Sequence, residues 1–301
     1  MKESLKKFYE KKYKILMIIP FILFGLAIVS IAFTMINYGD VVQKDVSLSG
    51  GISYDIRVDN WNSKTSTDVV NELMIRYSEK TYSVTDLKNF GERIGFSLMV
   101  DLDSLQEEEF EEILNEVLTS NFNEGYSIAS KSNMSGTIAD DFFKTTFKFL
   151  IYAFLFMGAV VFLYFRKFAP SVSIILSSIF DIIITIGFFN LFQMKLSMAG
   201  VAAILMLVGY SVDTNILLTT KLIKEKPKNI QDGIYDAMKT GLKMTSTTIG
   251  VLIAVFFVSQ APAIKQIVTI LLIGLIVDLM STWFMNAGIL KIYLSKKGVK
   301  K

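Results

Sequence analysis

Three aspartates each stand as the only charge in a long apolar run: Asp181 in 168–194, Asp213 in 196–220 and Asp278 in 266–290. An ionisable side chain at bilayer depth costs about 2.5–3.5 kcal/mol on insertion scales and by default marks a functional site. The chemistry open to it is uptake and release of an ion, because one elementary charge moved through about 100 mV is worth about 2.3 kcal/mol. The competing reading is that each carboxyl hydrogen-bonds neighbouring helices and only fixes their packing. Asp213 has Ser211, Thr214 and Asn215 beside it, with Thr219 and Thr220 two turns on, and Thr245, Ser246, Thr247 and Thr248 open the next apolar run. Such hydroxyls can solvate a carboxylate or a file of water, and they serve equally as interhelical glue. The ion-coupling candidates are therefore Asp213, Asp181 and Asp278, with Asn215, Thr214 and Thr247 in support.

The residue types that are missing narrow the chemistry further. The chain has no Cys and no His, which leaves no disulfide, thiolate metal site, iron–sulfur ligand or imidazole base. It contains no Walker loop, G-x-G-x-x-G, H-E-x-x-H or G-x-S-x-G pattern, so nothing supports ATP hydrolysis, dinucleotide binding or hydrolase chemistry. No enzyme activity, metal or cofactor is expected. The basic runs match membrane topology and contact with anionic lipid rather than nucleic acid.

These carboxylates need membrane helices to hold them. With 52% hydrophobic residues and a mean hydropathy of +0.47, the 301-residue chain lies outside ordinary soluble composition. Besides the three runs above, 15–36, 149–165 and 244–264 carry no charge, and about 20 apolar residues cross a bilayer as a helix. Six spans put both termini on one side. The segments at the ends and between the later spans are rich in Lys, whereas 37–141 holds 8 Lys plus Arg against 20 Asp plus Glu. The positive-inside rule then places both termini in the cytoplasm, with the chain a multi-pass protein of the cytoplasmic membrane. Pro170 falls in the first turn of the third span, Pro227 and Pro262 are expected in loops, and Pro20 is positioned to bend the first span. The small residues Gly200, Ala203, Gly209, Gly250 and Ala254 predict tight packing of the fourth span on the fifth in the bundle interior.

Between the first two spans lies a region of soluble composition. Residues 51–58 alternate at period two. Residues 66–79 have helical spacing, with Val69, Val70, Leu73, Met74 and Tyr77 on one side. Two strands follow at 81–90 and 93–101 around a turn at Gly91, then an amphipathic helix at 104–119 and a strand at 126–132. In that helix Phe110, Ile113, Leu114 and Val117 form the core stripe, and the EEEFEE run from Glu107 to Glu112 is its solvated face. The order β-α-β-β-α-β is that of a ferredoxin-like split βαβ domain. The expected fold is thus an α-helical membrane protein: six transmembrane helices with a small α+β ferredoxin-like extracytoplasmic domain between helices 1 and 2. Its parts are a cytoplasmic segment at 1–14, helix 1 at 15–37, the domain at 38–140, a five-helix bundle at 141–293 and a cytoplasmic tail at 294–301.

Several stretches resemble the SecF-type, archaeal-type members of the SecD/SecF family of protein-export membrane proteins, within the resistance-nodulation-division superfamily. SLSGGISYDI at 47–56 is similar to the family's Gly-Gly strand, with Gly50 and Gly51 as a structural motif. FDIIITIGFF at 180–189 resembles its span-three Asp motif, and GYSVDTNILLTTKLIKE at 209–225 its span-four signature. MKTGLKMTSTTIG at 238–250 and GLIVDLMSTWFMN at 274–286 resemble the entry to span five and an archaeal form of span six. The resemblance covers nearly the whole chain. It implies an accessory subunit that acts with SecD on the Sec translocon core, assists unfolded preproteins across the membrane, and draws on an ion gradient such as the proton motive force. In bacterial-type members an acidic residue of span four acts near a basic one at the start of span five. Asp213 matches the first, while the second position falls at Thr240, between Lys239 and Lys243. Two other readings stand beside it: half of a proton-coupled small-molecule or lipid exporter of the same superfamily, and a membrane-anchored binding domain without transport.

Overall fold

The computed structural model describes residues 12–296, apart from 46–47, 49, 59–65, 78–81, 90–91, 103–105, 124, 135, 228 and 260. The outermost basic residues and the turn expected at Gly91 lie outside the described residues. Among the described residues six helices are long and apolar enough to cross a membrane, and a small antiparallel sheet lies between the first two. The first span is α1, Ile18–Tyr38, closed by Gly39 in the left-handed region at φ 78°. The helix of this span begins at Lys12 and passes through Met17, helical at φ −62° and ψ −24° and bonded to Tyr13 O at 2.9 Å. Pro20 lacks the N–H that would reach the carbonyl four residues back, so one helical bond is missing near the start of the span.

The soluble module follows as β1 (Gly51–Val58), α2 (Ser66–Arg76), β2 (Tyr82–Asn89), β3 (Glu92–Val100), α3 (Glu107–Phe122) and β4 (Tyr126–Met134). The sheet order is β2-β3-β1-β4, with every neighbouring pair antiparallel. Gly50 and Gly51 enter β1 at φ 91° and 141°, where a Cβ is disfavoured. Alternate β1 residues Ile52, Tyr54, Ile56 and Val58 face the core, meeting Phe96, Leu98 and Val100 of β3, Val69, Val70 and Leu73 of α2, and Phe110, Leu114 and Val117 of α3. Met74 departs from the expected stripe and is exposed. At Gly95 a Cβ would meet the backbone of Ile56 and Arg57, so β1 and β3 approach closely only because that side chain is absent.

The Glu107–Glu112 face is less uniformly solvated than its pattern implies. Glu107 and Glu111 both pair with Lys131 of β4, and the Tyr54 hydroxyl donates to Glu111 Oε1 at 3.3 Å. Hydrogen bonds to the two glutamates raise the Lys131 pKa, and burial followed by the nearby Glu111 charge raises that of Tyr54. Burial also pushes Tyr82 up to about 12, from an ordinary value near 10. All three groups favour their protonated form in the folded module, so the stability they supply is present below pH ~10 and lost as pH climbs toward 12. Alkaline titration of the full chain should show a cooperative loss of module structure over that window. Tyrosinate absorbance and near-ultraviolet dichroism would report it, and a flat signal would count against these assignments.

The other spans are α4 (Gly136–Phe165), α5 (Phe168–Leu191), α6 (Met198–Ile223), α7 (Ile230–Val258) and a sixth span built of α8 (Pro262–Met280), a π-helical turn (Ser281–Asn286) and α9 (Ala287–Lys296). Three details correct the sequence expectation. Pro262 opens α8, where its missing N–H costs nothing, instead of lying in a loop. The helix of the fifth span starts at Ile230, ahead of its apolar run, because Ile230, Ile234, Tyr235 and Met238 give that lead-in a buried face. The fifth span is also peripheral: α5, α6 and the sixth span are at least half buried, whereas α1, α4 and α7 are largely exposed. Gly200 and Ala203 do pack inside, Gly200 against Gln266 and Ile270 of α8, but Gly209 and Gly250 meet open space. Gln43 and Asp45 exchange backbone hydrogen bonds with Leu196, and Val42 and Leu48 join one apolar cluster with Phe189, Leu196 and Ile270 of the bundle.

Candidate functional site

The sites in the bundle follow from rotation about each helix. On α5, Ser173, Ser177, Ser178, Asp181 and Thr185 follow the i, i+3, i+4 pattern of one helix face and are all buried. Ser211, Thr214, Asn215 and Thr219 do the same on α6, as do Asp278, Ser281, Thr282 and Asn286 on the sixth span. These faces meet in one polar seam at the centre of the bundle. The π-helical turn carries Ser281, Thr282 and Asn286, a form that recurs at functional positions within helices.

Two carboxyls lie at the middle of the seam, both with no exposed surface. Asp181 accepts from the hydroxyls of Ser211 and Ser281. Asp278 accepts from Thr214 Oγ1, at 3.0 and 2.8 Å to its two oxygens, and from Thr282 Oγ1 at 2.9 Å. Ser281 links the two, its hydroxyl donating to Asp181 Oδ1 and lying 3.3 Å from the backbone carbonyl of Asp278. The arrangement gathers two buried carboxyls into one hydroxyl network, with Ser178 Oγ 3.0 Å from Ser211 Oγ and Ser177 Oγ 3.2 Å from Ser281 Oγ extending it. Below the pair, Asn215 Nδ2 donates to Ser211 O at 2.8 Å, Asn286 Nδ2 donates to Asn215 Oδ1, and Ser173 Oγ donates to Asn286 Oδ1.

The structure thus brings Asp181, Asp278, Thr214 and Asn215 together and leaves Asp213 and Thr247 apart. Asp213 is exposed on the opposite face of α6, in line with Ala202, Met206, Gly209 and Tyr210. Thr247 is exposed on α7 and its hydroxyl turns back to Lys243 O at 2.8 Å. Thr240, at the position of the family's basic residue, is likewise exposed and bonds back to Asp236 O. Ser177, Ser178, Ser281, Thr282 and Asn286 were not among the sequence candidates, although their spacing relative to Asp181 and Asp278 carried the signal. Among the described residues no group of three or more acidic side chains is placed to hold a metal ion.

Six apolar helices among the described residues, a small α+β module after the first and a buried polar seam among the third, fourth and sixth define a multi-pass membrane protein. The family model for the C-terminal part of the protein-export membrane proteins SecD/SecF matches residues 114–296. The chain is 34% identical to the protein-export membrane protein SecF of Pyrococcus furiosus, across 100% of this chain and 98% of that one. It is 33% identical to the SecF of Methanocaldococcus jannaschii, across 97% and 99% respectively. The chain belongs to the SecD/SecF family of protein-export membrane proteins, on its SecF side. Its fold is shared with SecDF, a translocon-associated membrane protein from Thermus thermophilus, with a TM-score of 0.71 at 14% identity. That match covers 95% of this chain but 38% of SecDF, so this chain spans well under half of that protein.

Proposed function

We propose that this chain is an accessory subunit of the Sec protein-export machinery, acting with SecD to assist translocation or release of preproteins, and that ion movement through its bundle is coupled to that work. The observation that carries the reading is Asp213. At bilayer depth a carboxylate facing lipid costs several kcal/mol, yet Asp213 is exposed on the isolated chain beside Gly209, with Gly250 also open. Small residues with a charge among them suit a protein interface far better than acyl chains. A second bundle docked on the outer face of α6 and α7 would cover all three, and SecD is the partner that the joint SecDF architecture supports. Asp213 and Thr247 would then become interior groups of the assembly, with the Asp181 and Asp278 pair as a second, internal proton site.

The 38–140 module, with order β4-β1-β3-β2 and two helices on one face, is read as a ferredoxin-like domain on the extracytoplasmic side, and the Lys-rich termini as cytoplasmic. There it is placed to hold an unfolded chain emerging from the translocon core, while the basic ends rest on anionic lipid. The exporter alternative lacks a comparable footing, because its relatives over the full chain carry the SecF name. The test uses the natural lack of cysteine. A single Cys at Gly209 or Gly250, in a tagged chain purified from its native membrane in mild detergent, should crosslink to a SecD-like protein identified by mass spectrometry. Crosslinking to an unrelated transporter half would replace this reading with the exporter one.

A further inference from the structure

We infer a binding site for a single membrane lipid in the groove between α1 and the end of α5, at the end of the bundle that carries the α+β module. A cavity of about 420 Å³ lies there, within the size range of small-ligand sites. Its lining changes character along its length. Leu23 and Ala27 of α1 form the deep part, and polar Thr34, Gln43, Asn190 and Gln193 gather toward the helix ends. From Leu23 to Thr34 the groove follows α1 for about 16 Å at about 1.5 Å per residue, room for a good part of one hydrocarbon chain. Its floor is the contact of Ala27 with Gly187, where a Cβ on the glycine would fall 2.5 Å from Ala27 Cα. The flanks at Leu26, Val29, Phe33 and Leu191 are exposed apolar surface of membrane-spanning helices, so the groove opens toward acyl chains rather than toward water.

A second observation points to a head group. Asn190 lines the groove and is only 5% exposed. Its Nδ2 donates to Val41 O at 2.8 Å, but its Oδ1 is buried with no hydrogen-bond partner. An unpaired buried acceptor costs about 1–3 kcal/mol. The neighbouring hydroxyls are already committed as donors, Ser30 to Gly187 O and Thr34 to Ser30 O. Gln193, at the polar end, is held at φ 53°, a strained setting that is frequent at ligand clamps. The missing partner is a donor from outside the chain: a hydroxyl or ammonium on a lipid whose chain fills the apolar part. A small shift of the Asn190 amide would bring Oδ1 to it.

The test is photolabelling of the full chain, with whatever partner co-purifies, in vesicles doped with diazirine-tailed lipid and mapped by peptide mass spectrometry. Two probes share the tail, one with a glycerol head that can donate and one with a choline head that cannot. Label from the glycerol probe should concentrate on 23–34 and 187–193 over the lipid-facing side of α4 at Phe149, Leu155 and Phe156, and should exceed choline labelling there by about fivefold, the worth of one neutral hydrogen bond. Asn190→Leu should erase the difference between probes, and Leu26→Trp should lower labelling by both. Label spread evenly over all lipid-facing helices, or residues 23–34 crosslinked to a protein partner, would overturn the site. Equal labelling by both probes in the wild-type groove would overturn the role of Asn190.

Discussion

Asp278→Leu is expected to destabilise the bundle by about 2–4 kcal/mol, while Asp278→Asn costs under about 1 kcal/mol, read as shifts in thermal unfolding of the detergent-solubilised chain. The leucine fits the volume but strands the hydroxyls of Thr214 and Thr282, both fully or almost fully buried, at about 1–2 kcal/mol each. The lower end reflects fallback bonds, since Thr214 Oγ1 also lies 3.1 Å from Ser211 O. The asparagine keeps an acceptor for those hydroxyls and, being neutral, is a permanent imitation of a protonated carboxyl. The two substitutions therefore separate packing from proton holding. A cycle combining Asp181→Asn with Asp278→Asn should show a coupling of about 0.5–3 kcal/mol, as for residues sharing one network. Equal damage from Leu and Asn at position 278, or additivity of the pair, would break the shared-network account.

The same comparison shows what the sequence could and could not reveal. The module was readable from period-two runs such as GISYDIRV and from the Phe110, Leu114, Val117 stripe, because in a half-solvated element each polar position reports a direction. In the bundle that report fails. A helix apolar on all sides tells how deep Asp181, Asp213 and Asp278 lie but not which way they point, so three aspartates that look equivalent divide into a buried pair and an outward residue. The i, i+3, i+4 spacing of Ser211, Thr214 and Asn215 with Asp213 left out was the available clue, and its counterpart on the sixth span is Asp278, Ser281 and Thr282. The π turn at Ser281–Asn286 has no sequence signature, since it depends on contacts made across the seam. The sequence points to interior packing at Gly209 and Gly250 because a small residue suits any close helix approach, whether within one chain or between two.

Asp213→Asn is expected to leave the isolated chain's stability within about 0.5 kcal/mol, as for an exposed side chain, yet to abolish gradient-dependent export in vesicles containing the complete Sec machinery. In the single chain Asp213 faces outward, away from the buried hydroxyl network among the described residues, so that network does not lose a member with its charge. In the proposed assembly it is an interior carboxylate on the ion route, and Asn can neither bind nor release a proton. Each charge moved through about 100 mV supplies about 2.3 kcal/mol, which corresponds to roughly 50-fold in a rate or equilibrium that uses all of it. Stimulation of export by an imposed potential or pH difference should therefore fall toward unity, while export without a gradient is unchanged. The matched Asp181→Asn variant decides whether the internal pair lies on the same route. Loss of stimulation in both would make the seam and the outer face one pathway across α6. Loss at Asp213 alone would leave the pair as a structural lock, and full stimulation with Asp213→Asn would remove ion coupling from this subunit altogether.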